Sequence, residues 1–260
     1  MSCIIAIANE KGGVAKTTTT LSLGAALAEA GSSVLAIDLD AQANLTMALA
    51  LQSENGHRTS ASMLLEDKPG QNLVLKTAVP GLDLIPASSS LGLAERFLPI
   101  RSGYEVILRN ALQPISSRYD FILMDCPPFL GAITTNALTA ANLLIMPTQA
   151  EFFSIHALRN MMTLIRKVRL NGNPNLTYRL LLTLFDRRNR IHRTLSEQLR
   201  TTFGNGVLDT VIEVDTRLRE SAIAGVPVLI HAPKTRSAFQ YRALAQEIKA
   251  YVQETISQPA

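Results

Sequence analysis

Residues suited to phosphate chemistry gather at three places in this chain. The first is Glu10-Lys-Gly-Gly-Val-Ala-Lys-Thr-Thr18, which follows an apolar β-rich run over 3–9 and opens an Ala/Leu-rich helix reaching Ala30. Glycine lets the main chain approach an anion and turn its N–H groups inward, and a helix start adds partial positive charge. Lys16 then offers an ammonium to β- and γ-phosphates, and Thr17 a hydroxyl to Mg²⁺. In the spacing G-x-x-x-x-G-K-[ST] the framing glycines fall at positions 10 and 15, where this chain has Glu10 and Ala15. At positive φ, Ala15 would cost on the order of 1 kcal/mol; at negative φ it would cost little.

The second and third places are strand ends. Val34-Leu-Ala-Ile-Asp38 is apolar until it stops at an acid, and Asp40, Gln42 and Asn44 follow at once. Tyr119-Asp-Phe-Ile-Leu-Met-Asp125 repeats the pattern and runs into Cys126-Pro-Pro-Phe, which cannot extend a central ladder because proline lacks the N–H. A carboxylate beside bound phosphate holds Mg²⁺ through water or orients an attacking water. The plainer reading is an acidic turn with Asn44 as a helix cap. Three such strand ends together favour one shared site.

Those strand ends need a frame. Apolar runs alternating with helical stretches predict an α/β, doubly wound, mostly parallel sheet with helices on both faces, built as one domain over 1–260. Strands are expected over 34–38, 73–79, 82–86, 119–125, 143–147 and 178–185. Helices are expected over 61–66, from Leu91 behind a Ser88-Ser-Ser90 cap, over 104–115, 155–170, 218–224 and 237–256. Gly31 is the natural end of the first helix. Residues 52–72 read as a surface excursion, and Met47 and Met63 as core. No element is read between Arg193 and Leu218.

A chain of 260 residues, 47% of them apolar, can bury a full core. Its longest apolar runs are too short for a bilayer, which takes ~20 residues, and no signal peptide is visible. Cys3 and Cys126 fit reduced, cytoplasmic thiols and form no Cys-x-x-Cys pair, which argues against zinc or iron–sulfur sites. The net charge is +4. Its distribution says more: from Arg159 to Arg219 there are twelve Lys/Arg against five acids. That excess favours a polyanionic partner, the alternative being a solvated helical surface.

Lys11-Gly-Gly-Val-x-Lys-Thr-Thr resembles the deviant Walker A motif of the ParA/MinD ATPases. Asp38-x-Asp40-x-Gln42 is similar to their switch I, and Asp125-Cys-Pro-Pro with 134–141 to their Walker B and switch II. The likeness runs from Ile4 to about Ile248, leaving no room for a DNA-reading domain ahead of it, as in small ParA or Soj proteins. It implies ATP and Mg²⁺ as cofactors. Nucleotide contacts would come from Lys11, Gly12, Gly13, Val14, Ala15, Lys16, Thr17 and Thr18, with Pro233 near the adenine. Thr17, Asp38 and Asp125 would hold the metal. Lys11, Lys16 and Asp40 would be catalytic, with Lys11 reaching the partner's ATP across a homodimer and Asp40 placing the water.

The resemblance further implies non-specific double-stranded DNA bound through Arg188 and Arg217, less firmly through Arg187, Arg190, Arg193 and Arg219. It also implies a ParB-type activator and a cytoplasmic, nucleoid-associated location. The tail over 252–260 lacks the basic anchor with which MinD relatives dock on membrane, so no membrane partner is expected. Other readings stay open: a positioning ATPase for another cargo, a MinD-like division regulator, a metabolic P-loop enzyme or metallocluster reductase, and a DNA-binding protein with a dead nucleotide site.

Overall fold

The apolar runs that end in acids form the centre of a sheet that has eight strands among the described residues. A computed structural model describes residues 2–49, 58–152 and 154–257. The strands are β1 (Cys3–Ile7), β2 (Val34–Asp38), β3 (Leu75–Lys76), β4 (Leu82–Ile85), β5 (Phe121–Asp125), β6 (Leu143–Thr148), β7 (Thr177–Phe185) and β8 (Val207–Glu213). They lie in the order β3-β4-β2-β5-β1-β6-β7-β8, all parallel except the antiparallel edge pair of β3 with β4. The central strands are buried on both faces, which is why they read as continuous apolar runs without alternation.

Alternate residues still face opposite ways. Ile5 and Ile7 pack with the helices Lys16–Glu29 and Arg236–Ser257 on one side. Ala6 and Ala8 join the other core, beneath Leu91–Phe97, Ile107–Leu112, Ala132–Ala140 and Ser154–Asn171. Small alanines there let the second helical layer come close. Gly31 ends the first helix at φ +84°, the left-handed conformation expected of it.

Several sequence expectations shift. The stretch 73–79 keeps only two strand residues, and 104–115 breaks into a 3₁₀ turn, Tyr104–Val106, and the helix Ile107–Leu112. Ser90 precedes Leu91–Phe97 but makes no capping bond with its side chain. Of the supposed surface excursion, 52–57 lies outside the described residues. The helix Ser60–Glu66 is buried through Ser60, Ala61, Ser62, Met63 and Leu64, so that part is core. Met63 is buried as expected, whereas Met47 is 60% exposed. Elements also appear where none was read, among them the helices Ala132–Ala140 and Val228–His231, the helix Arg190–Phe203, started by the Asn189 side chain, and the edge strand β8.

Candidate nucleotide site

β1 stops in mid-sheet with a neighbour on each side, and ligands of doubly wound sheets sit in the crevice above such a point. Cys126 N donates to Ile7 O (3.1 Å) and Ala8 N donates to Ile145 O (3.2 Å), so the chain is pinned on both flanks as it leaves the strand. The loop then turns through Gly13 at φ +74°. A Cβ on Gly12 or Gly13 would meet nothing within 4 Å, which leaves the main chain open to an incoming group. Ala15 occupies the left-handed region at φ 67°, ψ 36°, so it carries the strain that glycine would avoid. The helix Lys16–Glu29 starts directly behind it, with Thr19 N donating to Ala15 O (2.9 Å).

The side chains converge beneath this loop. Thr17 Oγ1 donates to Asp125 Oδ2 (2.7 Å) and Thr20 Oγ1 to Asp125 Oδ1 (3.2 Å). Lys16 Nζ donates to Lys11 O (3.1 Å), and Thr183 Oγ1 from β7 holds Val14 O (3.0 Å). Asp38 pairs laterally with Asp125 in the β2–β5 register. Its own oxygens accept from Thr46 N (2.9 Å), Thr46 Oγ1 (2.7 Å) and Asp40 N (3.1 Å). Asp38 therefore fastens the 40–46 segment that carries Asp40, and Asp125 is the acid at Thr17. Thr18 lies beside Thr17 in a cleft shared with Asn44 and Met47.

Burial, and then the nearby Asp38, push the Asp125 carboxyl up to about 8; burial also raises Asp38. Burial lowers the Lys16 ammonium, opposed first by Asp125 and then by Cys126 and Asp40, which puts Asp40 within electrostatic reach of that lysine. Two neighbouring buried carboxyls that disfavour each other's charge form a donor set suited to a divalent cation. Among the described residues no cluster of three or more His, Cys, Asp and Glu could hold a metal alone. A cation here would complete its shell with the Thr17 hydroxyl, water and phosphate oxygens, as suits magnesium.

Lys11 points elsewhere. Its Nζ donates to Gln149 Oε1 (2.8 Å) and Glu151 Oε2 (2.5 Å) of its own chain. Asn9 Nδ2 donates to Pro147 O (2.8 Å) and Asn160 Nδ2 to Glu10 Oε2 (2.7 Å), so the loop is tied along the connection from β6 to Ser154–Asn171. Exposed Pro233 is not gathered into this network. Its carbonyl accepts from Arg242, which also grips Glu29 at the far end of the first helix. A cleft of about 430 Å³ lined by Phe185, Asp186, Arg187, Glu213, Val214 and Arg236 opens instead at the ends of β7 and β8.

The six arginines expected at DNA differ in their engagements. Arg187 pairs with Glu213 (2.9 Å), Arg188 with Asp186 (3.1 Å) and Arg217 with Glu220 (2.5 Å). Arg193 donates to the carbonyls of Arg187 and Arg188. Arg190 and Arg219 are exposed and have no hydrogen-bond or ionic partner among the described residues. Since Phe185 and Glu213 are paired across β7 and β8, the 187–193 and 217–219 groups leave adjacent strand ends. Sequence reasoning missed Thr20, Thr183, Gln149 and Glu151. Thr20 alone had a signal, three residues beyond Thr17 on one helix face.

The model of a family described as an AAA domain matches residues 2–178. The chromosome partitioning protein ParA of Caulobacter vibrioides is 39% identical over 248 residues, covering 94% of this chain and 93% of that protein. The chain belongs to the ParA family of partition ATPases. The sporulation initiation inhibitor protein Soj of Bacillus subtilis is 37% identical to this ParA-family chain over 251 residues, covering 96% and 99%. A solved structure named as a cobyrinic acid a,c-diamide synthase of Mycobacterium smegmatis, with bound ADP and magnesium, superposes at a TM-score of 0.86. It is 32% identical and covers 100% of this ParA-family chain and 99% of its own.

Proposed function

We propose that this chain is a DNA-partitioning ATPase that hydrolyses Mg-ATP as a homodimer on non-specific DNA and is reset by a ParB-type activator. The observation that carries the reading is the 2.7 Å bond from Thr17 to Asp125 beneath a left-handed loop whose glycines leave the main chain open. Magnesium held by Thr17 and Asp125, and through water by Asp38, would draw charge from the phosphates. Gly12 to Thr18 bind the triphosphate through main-chain N–H groups, and Lys16 offsets charge developing at the γ-phosphate. Asp38 fixes the segment from which Asp40 orients the attacking water. Lys11 leaves Glu151 and Gln149 to serve the partner's nucleotide. The base is assigned to the cleft at the ends of β7 and β8, whose Arg236 lies three residues from Pro233.

DNA phosphate draws on Arg190 and Arg219 first, because they have no partner to give up. Exposed pairs such as Arg188 with Asp186 are screened by water and exchange readily for phosphate. Among the described residues no helix is long and apolar enough to cross a membrane. Calorimetry with Mg-ATP, followed by turnover with and without non-specific DNA, tests the reading. Binding and DNA-stimulated hydrolysis by the parent chain, with ATP-dependent dimers lost in Lys11→Ala, are the expected results. Absence of Mg-ATP binding refutes the site, and normal dimers of Lys11→Ala refute the role across the interface. Amidation of an acid without DNA stimulation would instead favour a metabolic enzyme, the activity for which the mycobacterial structure is named.

A further inference from the structure

The segment that follows Asp125, from Cys126 to Gly131, ends at the helix Ala132–Ala140. That helix has no capping side chain at its own N-cap, Gly131. Its first two amides are taken by an acid from another element: Ala132 N donates to Glu95 Oε1 (2.6 Å) and Ile133 N to Glu95 Oε2 (3.1 Å). Glu95 projects from the helix Leu91–Phe97, so one carboxylate joins two helices. Charge-assisted bonds at a helix N-terminus are among the stronger available.

Gly131 makes this approach possible. A Cβ there would lie 1.8 Å from Glu95 Oε1 and 2.5 Å from Phe129 Cε1, so any side chain expels the carboxylate. Its φ of −101° is open to every residue, which leaves room for Glu95 as the reason for glycine. Thr134 Oγ1 donates to Phe129 O (2.5 Å) and Thr135 Oγ1 to Gly131 O (2.8 Å), closing the segment on the same helix end. The 126–131 segment is thus held at one end by Asp125 in the sheet and at the other by Glu95.

We propose that Glu95 is a positioning residue for hydrolysis, acting through the 126–131 segment on the acid that holds the metal. This rests on the assignment of Asp125 given above. Glu95 is not among the residues assigned to the nucleotide; it sets where the segment that follows Asp125 lies, so its removal slows the chemical step and spares binding.

The test compares Glu95→Ala, Gly131→Ala, the double variant and Glu95→Gln, with kcat, KM for ATP, affinity for a fluorescent nucleotide and thermal stability measured for each. Each single alanine variant is expected to lower kcat about tenfold, with KM and nucleotide affinity held within about twofold. The double variant is expected to be no slower than either single, because both remove the same contact. Glu95→Gln keeps one acceptor and recovers part of the rate. Additive losses in the double variant, a rise in KM or a loss of affinity as large as the loss of kcat, or unchanged kcat in Glu95→Ala would each overturn the proposal. If the parent chain binds no Mg-ATP, the site assignment itself fails, and the affinity measurement makes that failure separate.

Discussion

Ala15 sits at φ 67° where the spacing of phosphate loops calls for glycine. A left-handed alanine costs about 1–2 kcal/mol, while a glycine gives back roughly 0.4–1 kcal/mol through the freer unfolded chain. Ala15→Gly is therefore expected to stabilise the nucleotide-free protein by about 0.5–1 kcal/mol in urea denaturation; equal or lower stability would mean that the left-handed turn is not strained. A second residue-scale expectation concerns Glu151. Its carboxylate holds Lys11 in its own chain, so that hold must be given up before the lysine can act on a partner. Glu151→Gln weakens the hold and is expected to shift ATP-dependent dimerisation to lower protein concentration in analytical ultracentrifugation. An unchanged midpoint would show that the hold offers no resistance.

At the scale of elements, Arg190 opens the helix Arg190–Phe203 and Arg219 lies in Thr216–Ile223, behind the ends of β7 and β8. Arg190→Glu and Arg219→Glu are each expected to weaken DNA binding equally for all sequences. Each should also reduce the slope of log K against log salt by about 1, read from fluorescence anisotropy across a salt series. A slope unchanged by both would move the DNA surface elsewhere. The strands bearing Ile7, Asp38 and Asp125 were legible because burial on both faces leaves unbroken Val/Ile/Leu runs ending in polar residues. The helix holding Arg190 was not, since only Leu199 of it is fully buried and its charge reads as a loop. β8 escaped because it is an edge strand whose register against β7 is irregular, so neither face imposes a pattern. Within the site, local motifs identified Lys16, Thr17 and Asp125. The positions of Gln149, Glu151 and Glu95 depend on contacts more than thirty residues apart in sequence, which no spacing rule encodes.

At the scale of the whole molecule, the first and last helices are bound to each other. Arg242 Nε donates to Glu29 Oε2 (2.6 Å) and Arg242 Nη2 to Glu29 Oε1 (2.9 Å). The hydrogen bond from Arg242 holds the Glu29 carboxyl below its ordinary value of 4.5. A depressed acid contributes stability above that ordinary value and loses it as pH falls through the depressed one. Arg242→Ala should therefore lower stability near neutral pH and flatten its decline below about pH 4.5, measured by denaturation at a series of pH values; parallel curves for both proteins would exclude the pair as a contributor.

The contact between these two helices and the strand order bear on how the protein can assemble. Thr19 on the first helix meets the buried Tyr241 hydroxyl (3.3 Å), and β1 lies between β5 and β6. The helix behind the phosphate loop is thus packed against one 222 residues further along the chain. Until β5 and β7 have been added, the phosphate loop lacks the Asp125 and Thr183 that hold it, so nucleotide capture follows the sheet and cannot guide its beginning.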